Sequence, residues 1–155
     1  MQITRTPDGS VRLESKPTWL TLGVSVTLHD QDLHGPGEYD ITGIQCQQLY
    51  LGKGKISIIR LEDLIISYVE GYDTAIAKAE GVSNTHLLVV RTDALTSIDQ
   101  LRALIKELDP GYVLLTGSNH KEFEEAAGLS LQTGSTLKVT NASLPQEGCL
   151  LATLA

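Results

Sequence analysis

The hydrophobic positions of this 155-residue chain change their spacing at about its midpoint. Up to residue 69, short apolar runs of strand length alternate with turn residues; from residue 73, segments with helical spacing separate the apolar runs. The first part predicts a meander of short strands, and the second predicts strands alternating with helices. The predicted strands are 2–5, 10–14, 19–24, 26–28, a long run over 38–51 whose last part, 45–51, pairs with the next strand, 56–61, 64–69, 86–90, 112–115, 136–140 and 149–154, and the predicted helices are 75–79, 98–108 and 122–127.

A turn made of Gly35, Pro36 and Gly37 leads into the longest strand-like run, which continues to about Leu51. Glycine adopts backbone angles that other residues avoid, and proline fixes φ near −65°, so this tripeptide strongly indicates a turn. Neither alternating set of side chains after the turn is cleanly apolar. This pattern favours a strand between two packed layers over a surface hairpin.

The most distinct helix lies between two buried strands in the second half. Ser97 is its predicted N-cap, and Pro110 with Gly111 ends it. Its apolar residues fall on one face. No linker or internal repeat divides the chain, so we expect one domain over residues 1–155. The expected fold class is α+β, with two packed, mainly antiparallel sheets and helices outside at least one of them.

Composition limits the function more than it identifies it. The net charge of −7 and the pI of about 5.0 argue against partners rich in phosphate, which excludes nucleic acid and anionic membrane surfaces from the expected partners. No apolar run approaches the roughly 20 residues needed to span a bilayer, and no signal peptide is recognisable, so we expect a cytoplasmic protein. Cys46 and Cys149 are expected to be free thiols.

Several sequence blocks resemble the metallo-β-lactamase fold, in particular its small bacterial members of the L-ascorbate-6-phosphate-lactonase-like kind. The residues from Gly35 to Ile44 are similar to the family's strand entry "GPGEYEVKGV", and those from Leu137 to Pro145 are similar to its closing "LKVTRSSLP". The resemblance extends over about residues 34–154. It implies an αββα sandwich, here with its first half trimmed.

The metal-binding motifs of that family are missing. There is no His-x-His-x-Asp-His segment, and compared with the family the part of the chain that should carry it is deleted between about Val24 and Val26. Gly71 falls where the family has an aspartate ligand, and Gly117 and Ser118 fall where it has "PMHY". The resemblance therefore implies a degenerate relative with no catalytic residues and no metal cofactor.

One local segment offers an alternative metal site. His29 and His34 are five residues apart and enclose Asp30 and Asp32. Imidazoles and carboxylates are zinc and manganese ligands, so this loop could form a relocated site. The same residues also fit a solvated polar turn. Ser118 and His120 only faintly resemble a nucleophile and its base, because the Gly-x-Ser-x-Gly pattern is absent.

The function expected from the sequence is that of a non-catalytic interaction or scaffold protein. Trimming the first half should expose apolar surface, and such surface usually marks an interface. We therefore expect a homo-oligomer or a protein partner, with Trp19, Leu20 and Leu22 at the interface. The alternatives are a metal-dependent hydrolase at the His29–His34 segment and a small-ligand binder. The expected ligand-binding residues are Glu70, Gly71, Gly117 and Ser118.

Overall fold

The computed structural model describes residues 1–155 and places fourteen strands in two sheets. The strands are β1 (Gln2–Arg5), β2 (Val11–Ser15), β3 (Thr18–Leu22), β4 (Val26–Leu28), β5 (Gln31–Asp32), β6 (Gly37–Ile41), β7 (Ile44–Leu51), β8 (Gly54–Leu61), β9 (Leu64–Gly71), β10 (Leu87–Arg91), β11 (Tyr112–Thr116), β12 (Ser130–Gly134), β13 (Thr136–Lys138) and β14 (Leu150–Leu154). The helices are α1 (Ile98–Leu108) and α2 (His120–Ala127). Short 3₁₀ turns lie at Thr74–Lys78, Val82–Asn84, Thr92–Ala94 and Asn141–Ser143.

The strand order follows the change of spacing along the chain. One sheet has the order β13-β1-β2-β3-β4-β5 and is antiparallel throughout. The other has the order β12-β14-β11-β10-β9-β8-β7-β6; its meander half is antiparallel, and its other half, where helices connect the strands, is parallel. The predicted α+β sandwich of two mainly antiparallel sheets is confirmed.

Two apolar cores hold these layers together. The larger core lies between the sheets and contains the inward residues of both, such as Leu13, Leu20 and Ile66. The smaller core joins α1 to the outer face of the eight-stranded sheet, with Leu101, Leu104 and Leu108 contributed by the helix. The helices therefore cover only one of the two sheets. No helix in the chain has the length and apolar character that crossing a bilayer requires.

The run after the Gly-Pro-Gly turn is a hairpin, and the prediction of one strand reaching Leu51 was wrong. β6 and β7 pair in antiparallel fashion, with Ile41 opposite Ile44. The two residues between them, Thr42 and Gly43, have φ values of 52° and 85°. Positive φ at both central positions is the geometry of a tight hairpin turn. Threonine rarely adopts it, so Gly43 was the only residue that signalled this turn.

Several other elements differ from their predicted form. β12 was not predicted, because all five of its residues are exposed and no apolar alternation marks it. Ser97 stands at the N-cap of α1, but its side chain makes no capping hydrogen bond. The backbone N–H of Thr96 instead donates to Oε1 of Gln100 at 2.8 Å. α2 begins at His120, two residues before the predicted start.

The three predicted interface residues do not share a surface. Leu20 and Leu22 are fully buried between the sheets, whereas Trp19 points to the opposite face of β3. Successive side chains of a strand alternate between its faces, so neighbouring residues cannot both point outward. The prediction of Leu20 and Leu22 as interface residues is therefore corrected: they are core residues. Trp19 is only half-buried and packs against Arg12, whose guanidinium carbon lies 4.3 Å from the ring centroid.

Candidate functional site at the mouth of the sandwich

A cleft of about 420 Å³ opens at one end of the sandwich, where the two sheets separate. The carboxyl ends of β9, β10 and β11 form one wall, and the β1–β2 and β3–β4 turns form the other. The side chains that line it include Tyr68, Arg91, Asp93, Ser118 and His120. Loops at the carboxyl ends of parallel strands are where α/β proteins usually bind ligands, so this cleft is the candidate site.

The far wall of the cleft is a short turn anchored to the core. Gly23, Val24 and Ser25 are the only residues between β3 and β4. The Tyr68 hydroxyl donates to the carbonyl oxygen of Gly23 at 2.6 Å, while Val24 is 81% exposed at the tip. Burial raises the pKa of Tyr68, so its hydroxyl stays protonated and remains a donor.

Asp93 is the carboxylate at the centre of the cleft, and its neighbours already bind it. One oxygen accepts hydrogen bonds from the backbone N–H of Ser118 at 3.3 Å and from its hydroxyl at 2.8 Å. The other oxygen lies 3.7 Å from Nε of Arg91. Gly117 allows this close approach, since a Cβ there would lie 3.2 Å from an Asp93 oxygen.

A second cation ties the β1–β2 turn to the strand ends. Arg5 donates to the carbonyl oxygens of Leu115 at 2.8 Å, Gly9 at 3.2 Å and Leu154 at 3.2 Å. Thr116 adds a bond of 2.9 Å from its hydroxyl to the same Gly9 oxygen. Burial lowers the pKa of Arg5, but a guanidinium remains charged at neutral pH. These bonds make Arg5 a structural clamp between the two sheets.

His120 is held by the loop that precedes its helix. Its Nδ1 lies 2.8 Å from the carbonyl oxygen of Gly117, which makes Nδ1 the protonated nitrogen. Ser118 donates to Asp93 and makes no hydrogen bond with His120. The pairing of a nucleophile with a base, faintly suggested by the sequence, is therefore not formed. Within the same helix, burial raises the pKa of Glu124, and His120 opposes that shift.

Of the four predicted ligand-binding residues, only Gly117 and Ser118 line the cleft. Glu70 lies at the end of β9 with 4% of its side chain exposed, and one of its oxygens is 3.4 Å from Nζ of Lys55. Its other oxygen is buried without a partner. Burial raises the pKa of Glu70, and Lys55 opposes the shift. Gly71 packs against backbone, because a Cβ there would lie 2.9 Å from the Lys53 carbonyl oxygen.

Sequence reasoning missed the charged residues of the cleft. Arg91 and Asp93 directly follow the buried strand that was predicted at residues 86–90. Polar residues immediately after a buried parallel strand lie at its carboxyl end, and that position was a usable signal. Arg5 and Tyr68 gave no such signal, because their roles depend on contacts with segments distant in the chain.

The alternative metal segment forms the β4–β5 hairpin at one edge of the six-stranded sheet. The His29 ring packs edge-on against Trp19, with centroids 5.2 Å apart. Asp32 accepts a hydrogen bond of 2.6 Å from Thr27, while Asp30 and His34 are exposed. The structure does not bring these side chains together as a ligand group, since no three His, Cys, Asp or Glu side chains anywhere in it are placed to hold a metal ion.

The mouth of the sandwich is the place where the resemblance to the metallo-β-lactamase fold implies a zinc site. Zinc in proteins is held by three or four nitrogen, oxygen or sulfur ligands that converge on the ion. Here the central carboxylate of Asp93 is bound by Ser118 and lies beside the Arg91 guanidinium. No further His, Cys, Asp or Glu side chains complete a set with it. The residues present at the mouth therefore do not fit a zinc ion.

A solved structure from Thermotoga maritima is similar in fold to this chain. It is described as a Zn-dependent hydrolase of the metallo-β-lactamase superfamily and superimposes with a TM-score of 0.73, covering 100% of both chains. The sequence identity is 11%, so the likeness establishes the metallo-β-lactamase fold and nothing finer. No protein-family model matches the chain, and no curated protein matches it.

Proposed function

We propose that this chain, which has the metallo-β-lactamase fold, is a non-catalytic interaction protein that associates with itself. The observation that carries its non-catalytic part is the state of the polar groups at the mouth of the sandwich, and the exposed, uncharged edge strand β12 supports its self-association. Asp93 is bound to Ser118, Arg5 is bound to three carbonyl oxygens, and His120 is bound to Gly117. These groups fasten loops to one another and do not converge on a point where a reacting atom could bind.

The same contacts argue against hydrolysis. A hydrolase of this fold would use a metal ion to activate water, and that ion needs converging ligands. A metal-free hydrolase would need a nucleophile within hydrogen-bond reach of a base. The Ser118 hydroxyl reaches only the Asp93 carboxylate, which also lies beside the Arg91 guanidinium, and it makes no hydrogen bond with His120, the histidine that lines the same cleft.

Catalysis is tested on protein purified without chelator. Hydrolysis of lactone, phosphodiester and β-lactam substrates is measured with and without added Zn²⁺ or Mn²⁺. We expect rates equal to those of the metal solution alone. A metal-dependent turnover that Asp93→Asn abolishes would overturn the non-catalytic assignment.

Self-association is tested separately by sedimentation velocity over a hundredfold range of protein concentration. We expect the mass to rise from that of one chain towards that of two. A single-chain mass at every concentration would overturn this part of the proposal.

A second candidate function is small-ligand binding in the mouth cleft. The favouring observation is the cleft itself, where Arg91 and the Ser118 hydroxyl lie beside about 420 Å³ of open space. Thermal-shift measurements with sugar phosphates and nucleotides test it. A stabilisation that Arg91→Ala removes would support this function, and no shift with any compound would count against it.

A further inference from the structure

We propose that two copies of this chain associate through β12. The β12 strands of the two copies pair antiparallel across a two-fold axis and so join the two eight-stranded sheets. The inference rests on the self-association proposed above and names its surface. The strand was not among the elements expected from the sequence. It forms the last strand of its sheet and pairs with β14 on one side only.

The charges on the sheet edges distinguish β12 from the other three edge strands. β5 carries Asp32, β6 carries Glu38 and Asp40, and β13 carries Lys138. Charged residues on an edge strand are a common protection against unwanted pairing. β12 has none, and residues 126–137 as a whole contain no charged side chain. It is therefore the one edge without this protection.

The exposure of β12 adds a second argument. All five of its residues are exposed, and Leu131 is 58% exposed. Leu131 lies opposite Leu151 of β14, on the sheet face that carries the helices. The outer backbone N–H and C=O groups of an edge strand are free to pair with a further strand. A strand added here would satisfy those groups and cover part of Leu131.

Charge and symmetry favour a second copy as the occupant. With a net charge of −7, two copies repel each other over most of their surfaces, whereas β12 itself places no charged side chain against its copy. A two-fold axis through Gln132 makes the identical strands antiparallel, as an isologous interface requires. In that register Leu131 of one copy lies opposite Thr133 of the other, and Ser130 lies opposite Gly134.

A disulfide experiment tests this register directly. Gln132→Cys is introduced together with Cys149→Ala; the remaining thiol, Cys46, is buried. Directly paired antiparallel residues have Cα atoms about 4.5–5.5 Å apart, a separation that a disulfide spans. We expect mild oxidation to link two chains. The matched control is Asp40→Cys on the edge strand β6 in the same background, which should link at least tenfold more slowly. Equal linking rates would overturn the β12 assignment.

A charge variant tests the same contact without a covalent link. Gln132→Lys places two ammonium groups opposite each other across the axis, and like charges directly opposed destabilise strand pairing. Because Gln132 is exposed, the melting temperature of the single chain should not change. We expect the dimer dissociation constant to rise at least tenfold, whereas Asp40→Lys on β6 should leave it unchanged.

The outcomes separate this inference from the self-association on which it rests. A wild-type dimer that neither links through the introduced thiol nor weakens in Gln132→Lys would overturn the β12 surface and leave self-association standing. Wild-type protein that remains a single chain at every concentration would overturn both proposals. In that case the β12 edge would be left for a strand from a different protein.

Discussion

The hydroxyl of Tyr68 donates a hydrogen bond of 2.6 Å to the carbonyl oxygen of Gly23, and this bond joins the two sheets at the mouth of the sandwich. Tyr68 lies in the eight-stranded sheet and is fully buried, whereas Gly23 belongs to the turn after β3 in the other sheet. One buried side chain thus fixes the turn that closes the cleft. The contact depends on two residues that are 45 positions apart.

Tyr68→Phe should therefore destabilise the protein while leaving its core packing intact. Losing a buried hydrogen bond, and leaving its acceptor without a partner, typically costs about 1–3 kcal/mol of unfolding free energy. Urea denaturation measures that loss, and proteolysis near the exposed Val24 should become faster. Tyr50→Phe is the control, because Tyr50 is half-exposed. Equal stabilities of the two variants would contradict the proposed role of Tyr68.

Alanine variants of Leu20 and Trp19 test which face of β3 points towards the inter-sheet core. Leu20→Ala removes a fully buried side chain from the inter-sheet core and should cost about 2–5 kcal/mol of unfolding free energy. Trp19→Ala acts on the half-buried outer face and should cost less than Leu20→Ala. Denaturation curves for both variants give the comparison. A larger loss for Trp19→Ala would reverse the orientation described for β3.

The alternation of side chains explains what could be predicted from the sequence. Buried strands such as β10 and β11 are unbroken apolar runs, and α1 has a regular apolar face, so these elements were predicted nearly to the residue. The adjacent residues Trp19 and Leu20 were instead grouped as one apolar surface. The strand period of two assigns them to opposite faces, and applying it would have separated them.

The candidate site was harder to predict, because long-range contacts form it. Gly117 and Ser118 were found through a family resemblance. Arg5 instead supports the cleft from behind, through hydrogen bonds to Gly9, which lines it, and to chain segments up to 149 positions away. Glu70 looked equivalent to Ser118 as a site residue, although its side chain is buried beside Lys55. β12 carries no apolar pattern because neither of its faces is buried, so only the structure reveals it.

Glu70 should make the stability depend on pH in a direction that can be worked out. Burial raises its pKa above the ordinary value of 4.5, so folding penalises the ionised form. Protonated Glu70 makes a favourable contribution to the unfolding free energy below pH 4.5, and this contribution is lost as the pH rises through the pKa that Glu70 has in the folded state. Glu70→Gln removes this dependence. We therefore expect the variant to gain stability relative to the wild type as the pH rises from 4.5 to neutrality.

Urea denaturation of both proteins between pH 4 and 8 measures that difference. Comparing the two proteins cancels groups that titrate equally in both, including Asp73, whose pKa is lowered by hydrogen bonds from the backbone N–H groups of Ala75 and Lys53. A difference that stays constant with pH, or that falls as the pH rises, would contradict a raised pKa for Glu70.

Gly117 should tolerate substitution less well than Gly128, a second glycine with a positive φ. Its φ is 107°, and a Cβ there would lie 3.0 Å from the Thr92 hydroxyl oxygen and 3.2 Å from an Asp93 oxygen. Gly128, at the end of α2, has a φ of 68° and open space around the Cβ position. Both alanine variants carry backbone strain, of roughly 1–3 kcal/mol, but only Gly117→Ala must also displace Asp93. We expect Gly117→Ala to lose more unfolding free energy than Gly128→Ala. Equal losses would show that Asp93 can move away from residue 117 without a cost in stability.

Metal titration tests the segment with His29 and His34 without relying on an activity. The His29 ring is packed against Trp19, and Asp32 accepts a hydrogen bond from Thr27. These contacts would have to break before His29 and Asp32 could bind the same metal ion. Calorimetry with Zn²⁺ and Mn²⁺ on chelator-free protein should show no stoichiometric binding. His34→Ala should give the same titration as the wild type. A one-to-one isotherm that His34→Ala abolishes would instead mean that the loop rearranges around the ion, and the hydrolase alternative would then become the favoured function.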